Sequence, residues 1–255
     1  MTIYFLADAH LGAKYIADPA AHQSRLIEML RMMAKDADSI YMLGDIIDFW
    51  FEYKSVVPAG FTRLFATLAE IVQSGVKVYW MHGNHDMWTG GYITSETGVT
   101  IIPDSFYNIN ADNCTIVVSH GDTIGRVPAS YRILRTLFRS RICRKMLAAI
   151  HPRLTMAVGH GWSSHSRKSA GHISIEKSPL IDWMKKYLSN HTAKPPVKYF
   201  ICGHLHYPLR EKIPGTDAEL IILGDNYSRF QYAKYDHGII TIEQFASGNN
   251  KINNN

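Results

Sequence analysis

The sequence predicts an α/β protein of four layers, helix–sheet–sheet–helix, with a helical insertion. Three observations carry that expectation. The first half alternates short apolar, strand-like runs with amphipathic helical ones, which favours a largely parallel sheet with helices outside it. The second half is dominated by short apolar runs joined by Pro, Asp and Asn, the pattern of a second, mixed sheet. Between them a stretch of about residues 128–190 repeats apolar residues at helical spacing, with no acid before Glu176.

The elements follow in order. Residues 2–7 read as a first strand. Leu26, Ile27, Leu30 and Met33 repeat at helical spacing within 20–35. Residues 39–43 form a second apolar run, and 60–74 a second helix carrying Phe61, Leu64, Phe65, Leu68, Ile71 and Val72 on one face. Residues 76–81 make a third strand. Residues 99–102, 106–109, 115–119, 198–202, 220–223, 229–234 and 239–242 are assigned to the second sheet. In the insertion Ile133, Leu134, Leu137, Phe138, Ile142, Met146, Leu147 and Ile150 share a face, while Arg132, Arg135 and Arg139 fall elsewhere. The expected organisation is a single domain over 1–246, the insertion serving as a lid over about 128–190, and an Asn-rich frayed tail at 247–255.

Bulk composition narrows the class. The chain has 255 residues, enough for one large α/β domain. The N-terminus enters an apolar strand at once, without the basic region and cleavage site of a leader, and no apolar run reaches the roughly 18 residues of a membrane span. Cys114, Cys143 and Cys202 are odd in number and lack CxxC spacing, which suits a reducing compartment. The formal charge of +5 is uneven: residues 123–175 hold ten Arg or Lys and no Asp or Glu, leaving 17 basic and 22 acidic residues elsewhere. Such asymmetry points to an anionic partner.

Five polar clusters close apolar runs: Asp8-Ala9-His10, Gly44-Asp45, Gly83-Asn84-His85-Asp86, Ser119-His120-Gly121-Asp122 and Gly203-His204-Leu205-His206. Singly each is weak, since an isolated Gly-Asp usually marks a turn. Together they offer Asp8, His10, Asp45, Asn84, His120, His204 and His206 as ligands: two carboxylates, an amide and four imidazoles. That donor set suits two divalent ions, with Mn²⁺ expected and Fe or Zn as alternatives, better than Ca²⁺. Two such ions activate a water and neutralise phosphoryl charge, and one carboxylate such as Asp45 can bridge them.

The order DxH…GD…GNH[D]…H…GHxH, from Asp8 to His206, resembles the calcineurin-like metallophosphoesterases. The resemblance implies one metal site from Asp8, His10, Asp45 and His206, and another from Asp45, Asn84, His120 and His204. It gives His85 the catalytic role of steadying the transition state or protonating the leaving group, with Asn84 and His85 touching substrate. Asp86 and Asp122 are expected either to orient neighbouring histidines or to cap their loops.

Within that superfamily, the run Gly44 to Glu52, the HGD at His120–Asp122, the segment Ser163 to Ser169 and the chain length look like the UDP-2,3-diacylglucosamine diphosphatase family of lipid A synthesis. Some members of that family carry Arg where this chain has His85, and an acidic pair where this chain reads Arg126-Val127-Pro128. The implied substrate, an acylated UDP-sugar, needs cations for its diphosphate and an apolar cleft for its chains. The insertion offers both, and Arg126, Arg167 and Lys168 are the expected substrate contacts. A basic amphipathic helix also suits an anionic membrane surface, which places the protein in the bacterial cytoplasm at the inner face of the inner membrane. The competing readings are a soluble phosphoesterase for nucleotides, cyclic nucleotides or phosphoproteins, and a non-catalytic scaffold. The second is disfavoured because all seven ligands are kept. No protein partner is expected, and no nucleic acid, since no basic sheet with interleaved aromatics is apparent.

Overall fold

A computed structural model describes residues 1–159, 161, 177–191 and 194–246. Two sheets stack face to face with helices outside both. The first has six strands in the order β11-β10-β1-β2-β3-β4. Its centre is parallel: β1 (Thr2–Leu6), β2 (Ser39–Met42), β3 (Lys77–Met81) and β4 (Thr100–Ile102). β10 (Gln231–Asp236) and β11 (Ile239–Gln244) add antiparallel at the β1 edge. The second sheet runs β5-β6-β7-β9-β8. In it β6 (Cys114–Ser119), β7 (Val197–Cys202) and β9 (Glu219–Ile222) are parallel, and β5 (Tyr107–Ala111) and β8 (Leu209–Lys212) form antiparallel edges.

Strand alternation explains the layering. In β1, Ile3 and Phe5 face the second sheet while Tyr4 and Leu6 face the helices. In β7, Tyr199 and Ile201 meet that same inter-sheet core, whereas Phe200 and Cys202 turn outward. Strands buried on both faces read as continuous apolar runs, as those of the sequence do. The outer face of the first sheet is covered by α1 (Pro19–Met33) and α2 (Thr62–Gln73), through Leu26, Met29, Leu30, Leu64 and Leu68. α1 begins where Asp18 accepts the Ala21 N–H and Pro19 takes the first turn. The outer face of the second sheet is covered by α7 (Lys177–Asn190) through Leu180 and Met184.

The four-layer arrangement agrees with the sequence expectation, with corrections. Residues 99–102, 229–234 and 239–242 join the first sheet, not the second, because β10 pairs with β1 and places Ala233 and Tyr235 in the inter-sheet core. The lid, expected to reach residue 190, ends before α7, because Leu180 and Met184 make that helix part of the outer layer. β8 and α3 (Tyr92–Thr97) were not anticipated. The expected tail, 247–255, lies outside the described residues.

The rest of the insertion is helical: α4 (Ala129–Arg139), α5 (Arg141–Ala148) and α6 over 152–159. Ser140 breaks α4 from α5, its Oγ accepting the Cys143 N–H to cap the second helix. The insertion reaches the body through Phe138, Leu147 and Met156, which pack on Phe49, Phe51, Met87 and Trp88. Trp88 Nε1 donates to the Phe138 carbonyl at 2.9 Å. Six apolar residues of these helices stay in solvent: Ile133 is 70% exposed and Ile142 73%, with Leu137, Met146, Leu154 and Val158 alongside.

Candidate metal centre

All five polar clusters follow the C-terminal ends of parallel strands, where an open α/β sheet offers its loops to a ligand. Asp8 and His10 follow β1, Asp45 follows β2, Asn84 follows β3, His120 follows β6, and His204 and His206 follow β7. Backbone hydrogen bonds sew these loops together. Asp8 N donates to Gly44 O, His10 N to Asp45 O, and Gly203 N to His120 O.

The local backbone is unusual. Asp8, His10, Asp45, His204 and His206 all have positive φ, between 46° and 70°. Non-glycine residues seldom adopt this region, and each instance costs about 1–3 kcal/mol that the surrounding fold must hold. The loops also approach too closely for side chains. A Cβ on Gly83 would stand 2.0 Å from Asp45 Oδ1, and one on Gly44 would stand 2.7 Å from both the Gly83 backbone and His120 Nδ1.

These loops bring the side chains into one buried cluster. Asp45 Oδ2 is at its centre, 3.4 Å from His120 Nε2 and 3.8 Å from both His10 Nε2 and His85 Nε2. On one side His206 Nε2 lies 3.3 Å from Asp8 Oδ1 and 3.2 Å from His10 Nε2. On the other, His120 Nε2 lies 3.0 Å from Asn84 Oδ1, and the His120 and His204 rings are 5.0 Å apart. Three groups have ligand atoms mutually within 4.8 Å: Asp8–His10–His206, His10–Asp45–His85 and Asp45–His120–His204.

The electrostatics call for a cation. Burial opposes charge on His120, yet the Asp45 carboxylate overcomes it and pushes the ring up to about 10. Asp45 is itself held well below the carboxylate range, against burial, by His120, His85 and His10. Asp8 Oδ1 is buried without a hydrogen-bond donor. An acceptor lone pair aimed into a set of carboxylate, amide and imidazole donors fits a divalent ion.

The supporting residues include several that sequence reasoning passed over. Asp48 lies within the Gly44–Glu52 run but was given no role. Its Oδ1 is 3.4 Å from His10 Nδ1, and its carbonyl accepts from His85 Nδ1 at 2.9 Å, so it steers two rings. Its signal was an acid three residues beyond Asp45 in an otherwise apolar run. Tyr227 Oη lies 3.2 Å from His206 Nδ1, and the Leu43 carbonyl accepts from His120 Nδ1 at 2.9 Å. Neither leaves a sequence signal.

Asp86 accepts from the Gly83, Asp45 and Ile46 amides and from Trp80 Nε1, and no histidine is among these donors. It clamps the second loop to the third, because its two oxygens are taken by amides of both. Asp122 is bonded to Arg135 and Tyr131, again without a histidine hydrogen bond, since the insertion supplies better donors. Arg126 is exposed and makes no contact within the cluster. Arg167 and Lys168 lie outside the described residues.

Comparison with known proteins gives a consistent picture. The family model of calcineurin-like phosphoesterases matches residues 1–208. A UDP-2,3-diacylglucosamine hydrolase of Porphyromonas gingivalis is 34% identical over 254 residues, covering 94% of this chain and 96% of its own. Proteins of the same name from Ralstonia nicotianae and Yersinia enterocolitica are 25% and 26% identical, covering 94% and 88% of this chain and 91% and 90% of theirs.

Proposed function

This chain belongs to the calcineurin-like phosphoesterases, and on that premise we propose that it hydrolyses the diphosphate of UDP-2,3-diacylglucosamine to UMP and 2,3-diacylglucosamine 1-phosphate, in lipid A biosynthesis. It is a metal-dependent hydrolase of phosphoester or phosphoanhydride bonds. The observation that carries the acylated substrate is the apolar cluster at the lid seam. Phe49 and Phe51 sit four and six residues past Asp45, Met87 and Trp88 three and four past Asn84. All four pack against Phe138, Leu147 and Met156 of the insertion. The loops that carry the proposed metal centre thus continue directly into an apolar seam, closed by the insertion in this structure, which acyl chains would enter by parting it.

In this reading Asp8, His10, Asp45 and His206 would hold one ion, and Asp45, Asn84, His120 and His204 the other, with Mn²⁺ the proposed occupant and Fe or Zn the alternatives. When bound, the pair supplies an activated water and neutralises phosphoryl charge. The chain's own residues do the rest. Asp45 takes part on both sides because its carboxylate faces His10, His85 and His120. His85 donates Nδ1–H to the Asp48 carbonyl, which leaves Nε2 facing Asp45 Oδ2 at 3.8 Å; with both nitrogens protonated the ring would stabilise charge on the reacting phosphoryl group. The leaving group is itself a phosphate, so little protonation is asked of that ring. Asn84, His85, Arg126, Arg167 and Lys168 are the proposed substrate contacts.

The exposed apolar residues of α4 to α6, set in a segment with ten cations and no acid before Glu176, support peripheral attachment to an anionic membrane on the cytoplasmic side. No helix among the described residues is long and apolar enough to cross a membrane. One assay tests the reading: Mn²⁺-loaded protein offered UDP-2,3-diacylglucosamine, UDP-N-acetylglucosamine and a generic phosphodiester side by side. Selective cleavage of the acylated substrate supports it. Preference for the generic ester overturns it in favour of a soluble phosphoesterase.

A further inference from the structure

Outside the metal cluster, the described residues hold one concentration of charge that the proposed reaction does not use. Arg135, Arg139 and Arg144 of the insertion meet the body at Ser105, Pro103 and Gly90 respectively. Arg135 is spent: its Nε bonds Asp122 and its Nη2 donates to Ser105 Oγ at 3.0 Å. Arg139 is not. Only Nη1 reaches an acceptor, the Pro103 carbonyl at 3.4 Å, while Nε and Nη2 are buried without any partner. Arg144 Nη2 lies 3.1 Å from where a Cβ on Gly90 would stand, and among the described residues no carboxylate is paired with it.

His82, bonded to Thr89 Oγ1 at 2.6 Å, lies behind these two arginines and feels the charge of both. Glu52, the carboxylate beside Gly90, is already taken. Its Oε2 accepts the Gly90, Gly91 and Tyr92 amides, and its Oε1 accepts Trp50 Nε1.

A buried guanidinium edge with two unbonded N–H groups is expensive, because each lost its water without gaining an acceptor. Residues 123–175 contain no acid, and Asp122, the acid that acts most on Arg139, is already bonded to Arg135. The guanidinium edge matches two oxygens of a phosphate, and a second unpaired arginine alongside makes such a group the best-fitting occupant. We propose that Arg139 and Arg144 form a phosphate-binding site at the seam between lid and body, separate from the metal cluster. The occupant is a phosphate group, carried either by a phospholipid headgroup or by a soluble phosphate.

The test uses the metal-loaded full chain. Crystals soaked in tungstate, an isostere of phosphate, should show a heavy-atom peak between Arg139 and Arg144 in addition to any at the metal centre. In Arg139→Gln the seam peak should vanish, with the metal-centre peak as an internal control, and Arg139→Lys should restore it in part. Melting curves confirm that each variant folds. A seam without a peak, at a concentration that fills the metal centre, overturns the site.

Flotation with phosphatidylglycerol and phosphatidylcholine vesicles distinguishes the source. If the group is a headgroup, Arg139→Gln lowers partition to phosphatidylglycerol about tenfold, and inorganic phosphate competes in the wild type. If it is a soluble phosphate, partition is unchanged while the seam peak is still lost. None of these readouts depends on turnover, so failure of the acylated-substrate reading leaves this site standing or falling on its own.

Discussion

Arg135 and Asp122 form a largely buried ion pair: Arg135 Nε bonds Asp122 Oδ2, with side chains 16% and 2% exposed. Asp122 closes the loop that carries His120, so this bond, with that of Tyr131 to the same carboxylate, ties the first helix of the insertion to the candidate metal centre. Removing one partner of a buried pair leaves an uncompensated charge and typically costs about 3–5 kcal/mol. Arg135→Met should therefore lower the melting temperature by several degrees. An unchanged melting curve would show that the lid is anchored elsewhere.

The second prediction concerns Asp45. It faces three histidines and belongs to two of the three ligand groups. Asp45→Ala should reduce turnover by about a thousandfold or more, roughly the scale of losing a main electrostatic stabiliser. Elemental analysis should show metal loss at the same time. Near-wild-type activity in this variant would mean the ligand assignment is wrong.

A third follows from the residues that hold the ligands. Asp48 steers His10 and His85, and Tyr227 reaches His206. Losing such a partner commonly costs about 10–100-fold in metal affinity or activity. Asp48→Asn should weaken metal binding within that range, read by titration with a chelator. Tyr227→Phe should give a smaller loss of the same kind. Unchanged affinity in both would make them packing residues only.

The membrane proposal gives a fourth. Ile142 and Met146 are 73% and 65% exposed on one face of α5. Replacing both with Glu adds two negative charges and removes the apolar contact, and each basic residue near an anionic surface contributes about 1 kcal/mol. Flotation with anionic vesicles should drop by an order of magnitude or more. Equal flotation of variant and wild type would assign those side chains to another contact.

A pH effect of known sign lies far from the site. Burial would raise Asp36, but hydrogen bonds from Lys234 and Tyr4 overcome it and hold the carboxyl below its ordinary value of 3.8. A depressed acid contributes stability that is present above its unfolded value and lost as pH falls through the folded one. Asp36 is half exposed, so solvent screening limits the pair to about 1 kcal/mol at most. Asp36→Asn should be slightly less stable than wild type in urea at pH 7, and the gap should narrow as pH falls below 3.8. A gap that persists in acid would trace to packing rather than charge.

Much of the centre was legible because each ligand follows an apolar strand within a few residues, and such ends are local in sequence. Which sheet a strand joins is not local. β10 reads like any other short run, yet it crosses from residue 231 back to β1 and brings Ala233 opposite Phe5. β8 escaped notice because Arg210, Glu211 and Lys212 break its apolar pattern, as suits an edge strand that must not recruit another chain. α3, with six residues, is too short to show a helical period. The end of the lid was obscured because α7 follows the basic segment with a helical pattern of its own, and only packing of Leu180 and Met184 separates the two. The supporting roles of Asp48 and Tyr227 depend on distances between loops that no spacing encodes.

The left-handed backbone at Asp8, His10, Asp45, His204 and His206 has a consequence for how this protein drifts under mutation. Glycine is the residue that relaxes such a conformation, so a change to glycine at any of the five relieves local strain while deleting a proposed metal ligand. Variants screened for heat resistance alone should accumulate there first, yielding sturdier proteins without activity. A thermostabilised library that leaves those five positions untouched would be evidence that bound metal, and not the bare chain, sets the stability being selected.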